Sequence, residues 1–210
     1  MIKTLPKNSI EFILFFILYP IFLAISSIPL NYKLYTVPFV FTYVVYVSYL
    51  DRKALFFKRN FIKPPYFWKT TGFRLLIVII SSLTYMFFTN KDLLFISILT
   101  QPILWIKMIF VYTLFSVIPQ EYIYRALYFH RYKDLFKSSG TFFLVNALVF
   151  SLGHLMFKSS LVLIITFIGG FLFAYTYQKT KSIFWVSVEH VIYGGWLFTV
   201  GMGKMLGFPI

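Results

Sequence analysis

Apolar residues run through this chain in long stretches with few charges between them. These stretches cover 9–31, 34–50, 75–90, 93–118, 138–157, 159–178 and 182–203. Most of these stretches approach the roughly 20 residues that a helix needs to cross a bilayer. Lipid offers backbone N–H and C=O groups no hydrogen-bond partner, so a spanning segment must pair these groups internally. The runs are continuous rather than alternating, so the pattern predicts helices and not the strands of a membrane barrel.

The run 93–118 contains Pro102 and Lys107, which divide it. We predict a short interfacial helix near 93–102 and a long helix from about 103 to 136. The fold class is then all-α, a polytopic transmembrane helical bundle with about seven spans plus the short interfacial helix. We expect two parts. Residues 1–74 form an N-terminal transmembrane hairpin and a basic cytoplasmic loop, and 75–210 form the transmembrane core.

Composition agrees with a membrane environment. The chain has 210 residues, of which 60% are hydrophobic and 12% charged, and the mean hydropathy is +0.80. Soluble domains are nearer 45–50% apolar and about 25% charged. A soluble core of this size could not hide so much apolar surface, so we expect lipid to be the solvent.

The net charge is +14, and the basic residues lie mostly between the apolar runs. With the N-terminus in the cytoplasm, only Lys33, Lys91, Lys158 and Lys204 fall on the outer side, while Lys107 is unassigned; this is a positive-inside distribution. No basic segment has the size of a nucleic-acid-binding domain, so we expect the lipid bilayer as partner and no nucleic acid. The chain has no cysteine, which excludes disulfides, thiolate catalysis and Cys-based metal sites.

Four ionisable residues fall in or beside apolar runs, namely Glu121, His154, Glu189 and His190. An ionisable group inside a membrane is costly unless it is paired or wet, and it is a functional-site hypothesis by default. Glu121 and Arg125 are four residues apart and share a helix face. They form either a structural ion pair or a carboxylate that Arg125 keeps ionised for use as a general base.

The other three residues have similar alternatives. His154 follows Gly153 and is either a packing histidine or part of a site. Glu189 and His190 are adjacent, so they point about 100° apart on a helix and cannot both face one site. We expect Glu189 to form a structural hydrogen bond or to face a neighbouring helix or a water-filled cavity.

Depth in the membrane predicts which of these residues meet. A helix rises about 1.5 Å per residue, which puts Glu121, His154 and His190 roughly 15, 20 and 12 Å deep, respectively. One carboxylate and two imidazoles at similar depth suit hydrolysis by activated water or a zinc site. No HExxH motif occurs in the chain, so the usual zinc-protease helix is missing.

Three segments, taken in order, resemble the CPBP family of intramembrane proteases, which contains the type II CAAX prenyl endopeptidases. The family pattern is EExxxR, then FxxxH, then HxxxN or HxxxD. The matching positions are Gln120-Glu121 with Arg125, Phe150 with His154, and His190 with Gly194. Gly169-Gly170 and the stretch 178–185 also resemble the family's Gly-rich helix and its turn, so the resemblance covers roughly 104–200.

The resemblance implies a glutamic-type endopeptidase that acts on C-terminal or membrane-embedded peptides. It implies catalytic roles for Glu121 as base, Arg125 as its orienting partner, His154 beside the water and His190 at the oxyanion. Supporting or substrate-binding roles are expected for Gln120, Phe150, Gly194 and Glu189. We expect no metal or other cofactor, with a divalent metal as the alternative.

Two positions depart from the family pattern. Gln120 replaces the first glutamate, and a glutamine cannot act as the base, so Glu121 would have to serve. Gly194 replaces the last asparagine, for which Tyr193, Ser187 or a backbone N–H could substitute.

The expected substrate is a membrane protein or peptide with a hydrophobic C-terminal segment, and the expected location is the bacterial inner membrane. The two departures motivate an alternative, a degenerate member that binds membrane peptides without cutting them, in an immunity or chaperone-like role. A small transporter that uses the buried charges as an ion path is a further alternative.

Overall fold

The computed structural model describes residues 7–50 and 64–206, and within these ranges the chain is helical with short turns and has no strand. We number the longer helical elements α1 to α8. They are α1, built from Lys7–Ile13, the π-helical turn Leu14–Leu18 and Tyr19–Ile25; α2, Leu30–Leu50; α3, Pro64–Thr89; α4, Ile96–Thr100; α5, built from Pro102–Tyr112, the π-helical turn Thr113–Val117, Ile118–Glu121, the π-helical turn Tyr122–Leu127 and Tyr128–Arg131; α6, Ser139–Leu152; α7, Ser160–Thr180; and α8, Ile183–Thr199. Single 3₁₀ turns occur at Lys91–Leu93, Lys133–Leu135, Leu155–Phe157 and Gly203–Leu206.

Five helical segments of the described ranges are long and apolar enough to cross a membrane: Asn8–Ile25, Tyr66–Thr89, Pro102–Arg131, Ser139–Phe157 and Ser160–Thr180. Their outer surfaces are strongly apolar; Phe88 of α3, for example, is 80% exposed. The chain is therefore an integral membrane protein, and the all-α class is confirmed. The count of about seven spans stays a prediction, because α2 and α8 are not among the five. α8 has only 17 residues, and α2 carries Lys33 and several tyrosines.

Two helix boundaries differ from those that we predicted. The third helix begins at Pro64 rather than 75, because Lys69 and Arg74 lie within it and not in a loop. It therefore runs across the boundary that we drew between 1–74 and 75–210, while the predicted loop residues 51–63 lie outside the described ranges.

The first helix ends at Ile25 rather than near 31. Ser26 begins the break, and its backbone is extended. Lys33 lies within α2 and not in the loop that we expected, and its Nζ donates to the Ser26 carbonyl at 3.0 Å. Because the carbonyls at a helix end lack helical partners, this contact helps to close the end of α1.

A serine begins each of the last three long helices. The side-chain oxygens of Ser138, Ser159 and Ser182 accept hydrogen bonds from backbone N–H groups in the first turns of α6, α7 and α8, respectively. Such caps satisfy N–H groups that have no partner within the helix, and each is typically worth about 1 kcal/mol. They fix where the three helices that surround α5 begin.

A close approach between α6 and α7 brings the candidate motifs together. A Cβ atom at Gly170 of α7 would lie 3.1–3.2 Å from atoms of Ala147 and Phe150 on α6. These distances are shorter than most Cβ contacts in proteins, so the absence of a side chain at Gly170 favours the close approach of the two helices. α8 packs against α3, α5 and α7, so α5, α6, α7 and α8 together surround one buried polar region.

An ion pair at one end of the bundle fastens α1 to α5. Both carboxylate oxygens of Glu11 accept hydrogen bonds from Arg131 at 2.7 Å, and Oε1 also accepts from Tyr132 Oη at 2.5 Å. Burial, and next the hydrogen bond to Glu11, raises the pKa of the Tyr132 phenol, so the phenol remains a donor at neutral pH. α1 is thereby held against the helix that carries Gln120 and Glu121.

Candidate active site

The first motif lies on α5, between two π-helical turns. Pro119 follows the turn Thr113–Val117, and the turn Tyr122–Leu127 begins directly after Glu121. A proline removes one N–H from the helical ladder, and single π turns are frequent at functional sites. Such turns change the rotation of the residues that follow them relative to a regular α-helix, so they decide which side chains face the neighbouring helices.

Glu121 is fully buried and has two ionic partners. Its Oε1 lies 2.7 Å from Nδ1 of His190 on α8, and its Oε2 lies 3.2 Å from Nε of Arg125. An ionised carboxylate can only accept hydrogen bonds. Nδ1 of His190 therefore carries the hydrogen and donates a hydrogen bond to Oε1 of Glu121. The predicted pairing of Glu121 with Arg125 is therefore present. Of the three residues that the depth estimate grouped, Glu121 and His190 are in direct contact, while the hydrogen bond of His154 is to the Phe150 carbonyl.

Arg125 is also fully buried, and it connects three helices. One terminal nitrogen donates to Asn146 Oδ1 on α6 at 2.9 Å, and the other donates to the Gly170 carbonyl on α7 at 3.2 Å. Its guanidinium carbon lies 4.9 Å from the centre of the Phe150 ring. A buried charge needs such a set of partners, and Arg125 thereby orders the region behind Glu121.

The second motif ends in the turn that follows α6. His154 Nδ1 lies 2.8 Å from the Phe150 carbonyl, which can only accept, so Nδ1 carries the proton. Nε2 of His154 is then the nitrogen that can accept a proton. The Phe150 ring lies 5.0 Å from the His154 ring and 5.8 Å from the His190 ring, measured between centres. Phe150 therefore packs against both histidines.

A cavity of about 1000 Å³ opens in front of these residues. α1, α2, α3 and α5 to α8 line it, mostly with aromatic and aliphatic side chains, and its polar wall includes Gln120, His154 and His190. Glu121 is not among the described residues that line it. The carboxylate thus lies behind His190, whereas the neighbouring Gln120 faces the open space.

Gln120 has one unsatisfied polar atom at this wall. Its Nε2 donates to Ser116 Oγ at 2.8 Å. Its Oε1 is buried and finds no hydrogen-bond partner among the described residues. A ligand or a water molecule in the cavity would meet this need.

Glu189 points away from His190, as their 100° separation predicts. Its Oε1 accepts from Arg74 of α3 at 2.7 Å and from Tyr193 Oη at 2.8 Å. Glu189 is fully buried, so this second ion pair joins α8 to α3. The geometry is that of the structural hydrogen bond we considered for Glu189.

Two tyrosines at the site were missed from the sequence. A Cβ atom at Gly194 would overlap the Tyr112 hydroxyl, and one at Gly153 would overlap the Tyr124 hydroxyl. Each phenol therefore lies over a glycine near one of the two histidines. The glycines beside the motif histidines were a signal of close approach, but the chain has 16 tyrosines, which gave no way to choose among them.

The zinc alternative has no ligand set in the described ranges. No group of three or more His, Asp or Glu side chains there is arranged to hold a metal ion. Glu121 instead contacts His190 and Arg125, and His154 contacts the Phe150 carbonyl.

Comparison with known proteins agrees with the motifs. Residues 102–196 match the model of the family described as type II CAAX prenyl endopeptidase Rce1-like. No curated protein and no solved structure matches the chain. The matched segment holds all three motifs, from Gln120 to Gly194. Residues 102–196 of the chain are therefore similar to the Rce1-like family of type II CAAX prenyl endopeptidases, in agreement with the resemblance to the CPBP proteases.

Proposed function

We propose that this protein is an intramembrane endopeptidase that hydrolyses a peptide bond near the C-terminus or in a membrane segment of a substrate protein. The match of residues 102–196 to the Rce1-like family supports protease activity in general. The observation that carries the proposal is the 2.7 Å contact between His190 and Glu121 at the wall of the cavity. A histidine whose Nδ1 is held by a carboxylate has its other nitrogen poised to accept a proton.

In this mechanism His190, and not Glu121 itself, takes the proton from water. Nε2 of His190 removes one proton, and the resulting hydroxide attacks the carbonyl carbon of the substrate. Glu121 stabilises the imidazolium, as an acid partner does in other catalytic histidine pairs. The proton then passes from His190 to the leaving amine as the C–N bond breaks, so the products are a carboxylic acid and an amine.

His154 and Arg125 have supporting roles in this scheme. Nε2 of His154 accepts a hydrogen bond from the second O–H of the attacking water and so orients the water molecule. The Phe150 ring packs against both histidines. Arg125, fixed by Asn146 and the Gly170 carbonyl, holds Oε2 of Glu121. The guanidinium thereby fixes the orientation of the carboxylate towards His190.

The cavity wall supports a hydrophobic substrate. The wall is mostly apolar and is formed by residues of seven helices, which suits a membrane-embedded or C-terminal apolar segment. We further propose a location in a bacterial inner membrane, with the N-terminus in the cytoplasm, because the basic residues then lie mainly on the cytoplasmic side.

Cleavage by the purified protein tests the proposal. We would reconstitute the wild type, His190→Ala and His154→Ala in liposomes and mix them with peptides that carry hydrophobic C-terminal segments. Mass spectrometry would then follow new peptide termini. We expect cleavage by the wild type and a loss of at least about 100-fold in each variant. Equal cleavage by His190→Ala and the wild type would contradict the mechanism.

One observation favours a second function, the binding of membrane peptides without cleavage. Gln120 faces the cavity at the position where the family pattern has its first glutamate, and an amide does not take up a proton at neutral pH. The unsatisfied Oε1 of Gln120 could accept a hydrogen bond from a peptide N–H. The protein would then hold a peptide segment in the cavity.

Gln120→Glu separates the two functions. The binding function predicts a wild type that retains peptides without cutting them, and a Gln120→Glu variant, alone or with Gly194→Asn, that gains cleavage. The protease function predicts that the wild type already cleaves. A wild type with measurable turnover, lost in His190→Ala, would exclude the binding-only function.

A further inference from the structure

We propose that Arg74 of α3 binds the free C-terminal carboxylate of the substrate, so that the protein selects a chain end over an internal membrane segment. This inference rests on the proposed protease function and names the substrate class of its site. Arg74 lies outside the three sequence motifs and outside the matched residues 102–196. Its role is inferred from the cavity alone.

Arg74 carries the only permanent charge on the described part of the cavity wall. The other lining residues of α3 are apolar or carry a hydroxyl, namely Ile77, Val78, Ser81, Ser82 and Tyr85. No Asp, Glu or Lys of the described ranges lines the cavity. A mostly apolar wall with one cation fits a ligand of matching composition, which is an apolar segment that ends in one negative charge.

The Arg74 guanidinium has hydrogen-bond donors to spare. A guanidinium has five N–H hydrogens. Nη1 donates to Glu189 Oε1 at 2.7 Å and to Thr176 Oγ1 at 3.0 Å. The Tyr193 hydroxyl also interacts with the Arg74 side chain, which engages one more hydrogen at most. At least two hydrogens therefore remain on Nε and Nη2, and a carboxylate can accept two such hydrogens side by side.

A second cation compensates for the charge of Glu189. Lys179 Nζ lies 5.5 Å from the centre of the Tyr175 ring, and the guanidinium carbon of Arg74 lies 5.3 Å from the same centre. Two positive charges and the one negative charge of Glu189 leave a net charge of +1 where α3, α7 and α8 meet. A carboxylate that leaves water needs a cationic partner, and this group supplies one.

A row of aromatic rings connects this group to His190. Phe173 stacks on the His190 ring with 4.3 Å between centres and on the Tyr193 ring with 6.1 Å. Phe173 and Tyr193 both line the cavity. Tyr193 Oη donates to the same oxygen of Glu189 that accepts from Arg74. A peptide whose end is bound by Arg74 therefore passes along these rings to reach His190.

The two substrate classes of the proposed function differ at this point. A free C-terminus brings a carboxylate to the cavity. An internal membrane segment has no such charge, and its backbone groups are already paired within its own helix. Only the chain end therefore gains from the spare donors of Arg74.

A pair of peptides that differ only at the C-terminus is the direct test. One has a free carboxylate and the other a C-terminal amide, on the same hydrophobic segment. In phosphatidylcholine liposomes, we expect the wild type to cleave the acid with a kcat/KM about 10–100-fold higher, the typical effect of one hydrogen-bonded charge. The difference should lie mainly in KM, because the carboxylate is bound in both the ground state and the transition state.

Substitution of Arg74 should remove this preference. Arg74→Lys keeps a cation for Glu189 but loses the planar fork, so the preference should fall severalfold. Arg74→Gln/Glu189→Gln removes both charges and leaves neither unpaired, and we expect it to fold and to cleave acid and amide within about threefold of each other. A purely structural role for Arg74 would lower kcat/KM by the same factor for both peptides and would overturn the inference.

Two single variants are the matched controls. Glu189→Gln retains Arg74 and an acceptor for its Nη1, so the acid should stay preferred even though stability falls. Lys107 is an exposed cation of α5 that does not line the cavity, and Lys107→Gln should keep the wild-type KM for both peptides. Loss of the preference in Lys107→Gln would reveal a general effect of net charge and count against Arg74.

The phosphate of an anionic lipid is the competing ligand for Arg74. Its binding would appear as a higher melting temperature when phosphatidylglycerol is added to the liposomes, in the wild type but not in Arg74→Gln/Glu189→Gln. This lipid effect, together with equal cleavage of acid and amide, would overturn the binding of a substrate carboxylate.

The outcomes distinguish this inference from the proposed function. Cleavage of acid and amide with the same kcat/KM would overturn only the role of Arg74. A wild type that cleaves neither peptide would overturn the protease function, and fluorescence anisotropy with the same labelled peptides then tests Arg74 by itself. Tighter binding of the acid that is lost in Arg74→Gln/Glu189→Gln would support its role, and equal binding of acid and amide would overturn it.

Discussion

Nδ1 of His190 on α8 lies 2.7 Å from Oε1 of Glu121 on α5. The contact joins the first and last motifs of the chain, which are 69 residues apart in sequence. In our proposed mechanism Glu121 is a positioning residue that acts through His190, since the carboxylate lies behind the imidazole and is not among the described residues that line the cavity. The base that meets water in our mechanism is therefore the histidine.

Glu121→Gln should therefore reduce both activity and stability. Loss of the negative charge leaves Arg125 buried without its ionic partner, which typically costs about 3–5 kcal/mol. It also removes the group that favours the imidazolium form of His190, so kcat should fall by about 10²–10⁴-fold. Thermal unfolding in detergent and peptide cleavage measure the two effects.

Glu189→Gln is the matched control for this prediction. Glu189 is the other fully buried acid of the site region, and it is paired with Arg74 instead of His190. We expect a similar loss of stability but a much smaller change in kcat than in Glu121→Gln. If Glu121→Gln lost no more activity than Glu189→Gln, the Glu121–His190 pair would have no special role in catalysis.

Removal of the contacting tyrosine hydroxyl should rescue an alanine substitution at Gly153 but not one at Gly194. Gly153→Ala overlaps only the Tyr124 hydroxyl, because Cζ of that ring would lie 3.2 Å from the new Cβ. Overpacking of this kind typically costs about 1–3 kcal/mol. Tyr124→Phe should therefore restore most of the melting temperature that Gly153→Ala loses.

Gly194→Ala should behave differently. Its Cβ would lie 2.7 Å from Cζ and 2.9 Å from Cε1 of Tyr112, in addition to the overlap with the hydroxyl. Removal of the hydroxyl alone leaves those ring contacts, so Tyr112→Phe should not rescue Gly194→Ala. Melting temperatures of the four single variants and the two double variants test this contrast. Rescue at both glycines would show that the rings shift more freely than their packing indicates.

The sequence predicted helices well because lipid imposes a simple rule on the backbone. The helix expected from about 103 to 136 is present as α5, with its end at Arg131, and the interfacial helix near 93–102 corresponds to α4. Pairing of Glu121 with Arg125 followed from their spacing. Boundaries near charges were less predictable. Arg74 was assigned to a loop because a charge inside an apolar helix needs a partner, and its partner Glu189 is 115 residues away in sequence.

The roles of adjacent residues could not be predicted from spacing alone. Gln120 faces the cavity and Glu121 faces Arg125 and His190, and this choice depends on how α5 is rotated. The π turns Thr113–Val117 and Tyr122–Leu127 alter that rotation, and a pattern with a period of 3.6 residues does not reveal them. Family motifs identified the positions, while the packing of α8 decided which residue meets His190.

The contact between α1 and α5 should contribute measurably to stability. Glu11→Gln replaces a carboxylate that receives two hydrogen bonds from Arg131 and one from Tyr132. The pair is partly buried, with 11% and 19% of the Glu11 and Arg131 side chains exposed, so its value lies between those of surface and buried pairs, about 1–3 kcal/mol. Thermal unfolding should show the loss, together with faster proteolysis of α1.

Asp92→Asn serves as its control. Asp92 is an exposed acid in the 3₁₀ turn that follows α3, so its neutralisation should leave the melting temperature nearly unchanged. A Glu11→Gln variant as stable as Asp92→Asn would mean that α1 is held by its aromatic contacts alone, among them the packing of Phe12 and Phe16 against Tyr132.

Membrane orientation can be tested with single cysteines, because the chain has none of its own. Lys137 is exposed just beyond the end of α5, and Lys91 is exposed before its start, so one crossing by α5 puts them on opposite sides. The positive-inside distribution predicts that Lys137 lies in the cytoplasm. In spheroplasts, an impermeant maleimide should label Lys91→Cys at once but Lys137→Cys only after permeabilisation. A permeant maleimide should label both variants, and the cysteine-free parent should show no signal. The reverse labelling pattern would place the N-terminus outside and contradict the proposed orientation.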